Sequence, residues 1–484
     1  MSPAQSPPGD TLSLSPCELD GYPGPARCGH LRVPEDSSRP DGGTISLRVA
    51  QLPARSDVPA PDPVFVFAGG PGQAATDYAP IIGRDFEEVL EHRDVVLVDR
   101  RGTGGSGALR CPRAGAGASA SPYADIVPEQ IRSCRRALEK EADLTRYTTP
   151  FAVEDIDRVR RAMGYERINL YGASYGSREA MVYLRRHPEA VRSVLLEAVM
   201  PPPRRPMLQS PATAQQALDR LIDDCGADEP CRAAFPRLRA DFDSMMARLE
   251  RGPVEIAVPA RRGAGSRAGS AEGGQDTVRM DRADVGGTLR TALIFPAGAA
   301  RLPRLIHRAA HGDYSGLAEL GALVRRATRA SLPRGLFLSV VCAEEVARIE
   351  ETEIGEATAG TFWGDAWVRS LSRQCAEWPG ANLPVGYWRP VQSRVPVLML
   401  SGWLDPITPP AWAGDVERHL PNSKRVVVRS GFHNFRWGAC TARVASDFYG
   451  QLDLEGLDTS CLSSLPRPPF ELPEEERPDT EPER

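Results

Sequence analysis

Three short segments of this chain carry side chains whose types and order could transfer an acyl group. The first is Gly172-Ala173-Ser174-Tyr175-Gly176. A serine hydroxyl becomes a nucleophile when a sharp strand-to-helix turn exposes it and a base takes its proton. Ile168 to Tyr171 reads as a strand and Ser177 to Arg186 as a helix, and the flanking glycines permit the strained turn between them. The second segment, Val397-Leu398-Met399-Leu400-Ser401-Gly402-Trp403-Leu404-Asp405-Pro406, sets a carboxylate just past a strand end. The third, Val426-Val427-Val428-Arg429-Ser430-Gly431-Phe432-His433-Asn434, sets an imidazole just past the next strand. Ser174, Asp405 and His433 then have the chain order of a nucleophile, an orienting acid and a general base. Elimination also favours His433 among the 7 histidines. His187 lies in a helix-end His-Pro, His419 in a surface-like Arg-His-Leu-Pro, and His30, His92, His307 and His311 precede the required position.

A tetrahedral anion needs two backbone N–H donors. One is expected from Tyr175, directly after the nucleophile. The other is expected from the loop after the strand Val64 to Phe67, which reads Ala68-Gly69-Gly70-Pro71-Gly72, with Gly70 as the donor. An aspartate nucleophile, as in dehalogenases and epoxide hydrolases, is excluded by the serine at position 174. A non-catalytic binding protein on this scaffold is disfavoured by the complete Ser/Asp/His set.

These groups must be held by strands. Val64 to Phe67, Val95 to Val98, Ile168 to Tyr171, Val194 to Leu196, Val397 to Leu400 and Arg425 to Val428 are short apolar runs of the kind that parallel strands covered on both faces show. They alternate with helical patterns, so the expected class is α/β, a mostly parallel central sheet with helices on both faces. Leu31 to Val33 and Ile45 to Val49 alternate in polarity and are expected as an antiparallel edge. Between Leu196 and Val397 the chain reads mainly helical (Thr213 to Cys225, Phe235 to Glu250, Leu317 to Ala330), with a Gly/Ser/Arg/Ala excursion from Ala260 to Gly274. This is the pattern of the α/β-hydrolase fold with an inserted helical cap. The expected division is a core of residues 16–200 and 391–465, a cap of 201–390, and disordered tails at 1–15 and 466–484.

With 484 residues, 41% hydrophobic and 25% charged, the chain is long enough for one large domain with an insertion. Its net charge of -5 is spread in both signs, so no basic stripe points to nucleic acid or anionic lipid. No run of about 18 apolar residues is present, so no membrane span is expected. No metal or cofactor is called for, and nothing in the sequence specifies an oligomeric state. The 10 cysteines, at 17, 28, 111, 134, 225, 231, 342, 375, 440 and 461, lack a zinc-like spacing and imply disulfides made in a periplasm or outside the cell. Spacing alone leaves their connectivity open; pairing in sequence order is the expectation. Met1 to Pro8 has neither a basic nor an apolar region, so a signal peptide is expected to have been trimmed.

Gly69-Gly70-Pro71-Gly72, Asp99-Arg100-Arg101-Gly102-Thr103-Gly104-Gly105-Ser106, the serine elbow and Asp405-Pro406-Ile407-Thr408-Pro409-Pro410 together resemble the prolyl aminopeptidase / tripeptidyl aminopeptidase family. The resemblance runs from about Gly29 to Cys461, and Ser339-Val340-Val341-Cys342-Ala343-Glu344-Glu345 looks like the secreted tripeptidyl-type branch. It implies an α/β-hydrolase serine peptidase that releases a residue or short peptide from a free N-terminus. The same fold also serves esterases and amidases that ignore the α-amine. Two departures leave substrate choice open: Ala68 where a histidine often precedes Gly-Gly-Pro-Gly, and Gly431-Phe432-His433 where Gly-His is usual. Reading a cationic amine calls for carboxylates, and Glu344, Glu345 and Glu197 are the candidates. Asp99, Arg100 and Arg101 are expected to brace the loop beneath the site.

Overall fold

A computed structural model describes residues 12–39, 41–112, 127–259, 275–433 and 438–473. Eleven strands form among them: β1 (Ser15–Leu19), β2 (Tyr22–Pro34), β3 (Thr44–Leu52), β4 (Val64–Phe67), β5 (Val95–Val98), β6 (Ile168–Ala173), β7 (Val191–Glu197), β8 (Val254–Pro259), β9 (Gln275–Met280), β10 (Val397–Gly402) and β11 (Ser423–Val428). Nine of them make one sheet in the order β1-β2-β3-β5-β4-β6-β7-β10-β11. The pairings β1·β2, β2·β3 and β3·β5 are antiparallel. All pairings from β5 through β4, β6, β7 and β10 to β11 are parallel. This is the α/β-hydrolase fold expected from the pattern, with its antiparallel edge in place.

Alternation of side chains across each strand explains the unbroken apolar runs. Phe65, Phe67, Val96, Val98, Leu170, Leu196 and Met399 enter the core on one face. Val64, Val66, Val95, Leu97, Leu195, Leu398 and Leu400 enter the core on the other. Because these strands are parallel, β6, β10 and β11 end at one edge, and the residues following them are brought to that edge.

The chain leaves β7 at Glu197 and returns to its direct neighbour β10 at Val397. The intervening stretch includes the helices Pro206–Ala227, Leu238–Glu250, Pro296–Ala310, Ser315–Ser331, Arg334–Glu344 and Ala366–Ala376. The three helices expected there fall within or overlap the first, second and fourth of these. The stretch also holds the antiparallel pair β8·β9, which the helical reading passed over. The Ala260 to Gly274 excursion lies outside the described residues.

The tails differ from expectation where they are described. Residues 1–11 and 474–484 lie outside the described residues. Ser15 already opens β1, and a disulfide joins Cys17 to Cys28 of β2. Beyond Pro466 the chain is anchored: Phe470 is buried and lies under the Arg467 guanidinium. The Glu471 N–H donates to the Ala300 carbonyl at 2.9 Å, and its carboxylate meets Arg301 and Arg304. An apolar ring and a paired carboxylate dock this segment where composition alone suggested a free tail.

All ten cysteines are paired, in sequence order: Cys17–Cys28, Cys111–Cys134, Cys225–Cys231, Cys342–Cys375 and Cys440–Cys461. Among the described residues, no helix is long and apolar enough to cross a membrane.

Candidate active site

Ser174 occupies the junction of β6 and the helix Tyr175–Arg186 with φ 58° and ψ -124°. An L side chain rarely adopts such a conformation, and it is held by what surrounds it. The Ser174 N–H donates to the Glu197 carbonyl at 2.9 Å, which pins the turn to the end of β7. Both elbow glycines are sterically required. A Cβ on Gly176 would sit 1.9 Å from the Phe67 carbonyl oxygen, and one on Gly172 would sit 2.6 Å from that of Gly176.

Asp405 follows β10 and is fully buried. Its carboxylate accepts from the N–H groups of Ile407 at 2.7 Å and Thr408 at 2.9 Å, and from the Thr408 hydroxyl at 2.6 Å. The His433 ring lies against it, Nδ1 at 2.9 and 3.0 Å from the two oxygens. Facing a carboxylate, Nδ1 carries the proton, which leaves the Nε2 lone pair for the Ser174 hydroxyl at 2.8 Å. Gly402 lets the loop before His433 approach β10, since a Cβ there would meet the Phe432 carbonyl oxygen at 2.2 Å. The three residues singled out in the sequence are thus brought into one hydrogen-bonded run. Such a run can deprotonate the serine, hold the resulting imidazolium and return the proton to a leaving group.

The glycine loop lies beside the serine. A Cβ on Gly69 would be 3.4 Å from the Ser174 Cβ, and the Gly69 N–H already donates to the Tyr78 hydroxyl at 3.3 Å. Gly70, at φ 113°, adopts a backbone that only glycine takes readily. Leu332 and Pro333 from the stretch between β7 and β10 come down on this loop, 3.3 Å from where Cβ atoms of Gly70 and Gly72 would be. Tyr175 is the first residue of its helix, so its N–H has no acceptor within the helix.

The three carboxylates expected to meet an ammonium are buried and engaged within the protein. Glu345 pairs with the equally buried Arg178 at 2.9 Å and accepts from the Met207 N–H at 3.0 Å. Burial raises its pKa, with Arg178 acting in the opposite direction. Glu344 accepts from the Thr149 N–H at 2.7 Å, the Thr149 hydroxyl at 2.9 Å and the Tyr387 hydroxyl at 2.5 Å. Glu197 accepts from the Tyr171 hydroxyl at 2.8 Å. The oxygens of Glu344 and Glu345 thus meet groups of the protein itself, from Thr149, Tyr387, Arg178 and Met207.

Beneath the site, Asp99 accepts from the Thr76 N–H at 2.9 Å and the Gly105 N–H at 2.9 Å. Arg101 grips Asp155 through two bonds of 2.7 and 2.8 Å. Arg100 donates to the Tyr175 hydroxyl and lies 3.6 Å from Glu179. These are the bracing roles expected of this motif. Sequence reasoning missed Thr408, although the quoted Asp-Pro-Ile-Thr motif contains it. It also missed Thr149, for which no local signal exists.

Two family descriptions match the chain. Residues 62–232, which include Ser174 and the glycine loop, match the alpha/beta hydrolase fold. Residues 360–461, which include Asp405 and His433, match a family described as TAP-like protein. Among curated proteins, the serine protease Hip1 of Mycobacterium tuberculosis is 27% identical over 244 residues, 46% of each chain. The tripeptidyl aminopeptidase of Streptomyces lividans is 29% identical over 205 residues, 39% of this chain and 38% of the relative. A proline iminopeptidase of Xylella fastidiosa is 29% identical over 137 residues, 28% of this chain and 32% of the relative. The chain spans about half the length, or less, of the curated relatives it matches.

Proposed function

For a chain with the α/β-hydrolase fold and a segment that matches a TAP-like family, we propose a serine hydrolase working through an acyl-enzyme, in the first place an aminopeptidase. The observation that carries this reading is the continuous run from Ser174 Oγ through the His433 ring to Asp405. In the proposed reaction His433 takes the serine proton as Ser174 attacks a carbonyl, and Asp405 holds the imidazolium. The N–H groups of Tyr175 and Gly70 face the tetrahedral anion. His433 then protonates the leaving amine, and water releases the acyl group. Engagement of the Gly69 N–H by Tyr78 favours Gly70 as the second donor.

The proposed division has residues 16–200 and 391–465 as the catalytic core and 201–390 as a cap over the serine. The contact of Leu332 and Pro333 with the glycine loop supports it. Secretion or a periplasmic location is proposed from the five disulfides.

The names of the relatives favour release of an N-terminal residue or short peptide from peptides. The engaged state of Glu344, Glu345 and Glu197 favours a second reading, an esterase or amidase on the same fold with no need for a free α-amine. Hydrolysis of aminoacyl- and tripeptidyl-arylamides, each beside its N-acetylated twin, separates the two. The aminopeptidase reading expects the free amine to be preferred by about 10²-fold or more in kcat/KM. Equal rates would leave the esterase.

A further inference from the structure

The Tyr175 hydroxyl belongs to a buried chain of hydrogen bonds whose directions are set by what each group can do. A carboxylate only accepts, so the Thr149 hydroxyl donates to Glu344, 2.9 Å away. The Thr149 oxygen is then the acceptor for the Tyr175 hydroxyl at 2.5 Å. The Tyr175 oxygen in turn accepts from the Arg100 guanidinium. Burial pushes the Tyr175 hydroxyl well above its ordinary range, so it keeps the proton this order requires. At the far end, the Thr149 N–H and the Tyr387 hydroxyl complete the coordination of Glu344. The hydroxyls of Tyr175, Thr149 and Tyr387 each meet an acceptor, and the charges at the two ends, Arg100 and Glu344, are opposite.

The chain of bonds joins four separate elements. Glu344 ends the helix Arg334–Glu344, and Thr149 begins the helix Thr149–Ala162. Tyr175 begins the elbow helix, and Arg100 follows β5. We propose that this relay positions the Tyr175 N–H, making Thr149 and Glu344 positioning residues that act through Tyr175 rather than on the substrate. The proposal rests on the serine-hydrolase reading of the site. Its physical basis is that the Tyr175 ring and N–H share one Cα, so a ring freed from its two partners lets the donor drift from the forming anion. Loss of one such donor costs about 10²–10³ in turnover, and partial misplacement costs a smaller share.

The test is turnover of a small activated ester, expressed per fluorophosphonate-titrated site so that only folded enzyme is counted. Thr149→Val removes the hydroxyl at nearly constant shape; Thr149→Ser keeps the hydroxyl and removes the methyl. The expected result is a fall in kcat of about 10-fold or more in Thr149→Val, with KM within about twofold, and recovery in Thr149→Ser. Wild-type kcat in Thr149→Val overturns the proposal. So do equal losses in both variants, which would make methyl packing the cause, and a loss confined to KM or thermal stability. If Thr149→Val does not fold, Tyr387→Phe removes one donor from Glu344 without touching the elbow. It is expected to lower kcat in the same sense, and an unchanged kcat there overturns the proposal. A wild-type protein that takes no phosphonate label at all would instead remove the hydrolase reading, a result distinguishable from failure of the relay.

Discussion

At φ 58° and ψ -124°, Ser174 holds a backbone conformation that glycine accepts readily and other residues accept under strain. The strain is sustained by the fixed turn around it, from the Glu197 carbonyl on one side to the close-packed Gly172 and Gly176 on the other. Function and stability should therefore separate at this position. Ser174→Ala is expected to fold and to lose about 10⁴-fold or more in turnover. Ser174→Gly is expected to be equally inactive yet more stable than Ser174→Ala by about 1 kcal/mol, because only glycine relieves the backbone. Urea unfolding of the two variants checks this, and equal midpoints would mean that the turn is not strained.

Among the elements, legibility followed the range of the interactions. β4 and β5 were readable to the residue, because strands buried on both faces leave short apolar runs that need no partner to be recognised. β1 was not, since Ser-Pro-Cys-Glu-Leu shows no apolar alternation and is tied to β2 by pairing and the Cys17–Cys28 bond. That Glu344 meets Thr149 and Glu345 meets Arg178 is not legible in the sequence, because these partners lie 195 and 167 residues away, beyond any local pattern. Thr408 lay within a motif, but a threonine after Asp-Pro-Ile says nothing of which oxygen it meets. Inside the elbow helix, Glu179 faces Arg100 without a hydrogen bond, and burial raises its pKa from 4.5 to about 7 despite that arginine. A carboxyl with a folded pKa above its unfolded one binds its proton more tightly when folded. Its contribution to stability is full below about 4.5 and is lost as pH rises through about 7. The stability of the wild type relative to Glu179→Gln should thus fall between about pH 5 and pH 8. A difference that does not change with pH would contradict the burial of this carboxyl beside Arg100.

Across the whole molecule, one continuous sheet gathers residues that are far apart in the sequence. β7 and β10 lie side by side although the helices and the β8·β9 pair are inserted between them. The position of that stretch relative to the sheet is set from several directions. Arg178 under the elbow pairs with Glu345, and Thr149 with Glu344. The segment after Pro466 returns from the last strands to bind Ala300, Arg301 and Arg304 of the helix Pro296–Ala310. Order of chain, order of strands and hydrogen bonding support the assignment proposed above, in which Ser174 attacks, His433 takes the proton and Asp405 holds the base. Mass spectrometry after fluorophosphonate treatment, with wild type beside His433→Ala, tests it most directly. The account predicts one adduct per chain, on Ser174, formed at least about 10³-fold more slowly without the imidazole. An adduct on another residue, or a labelling rate indifferent to His433, would contradict it.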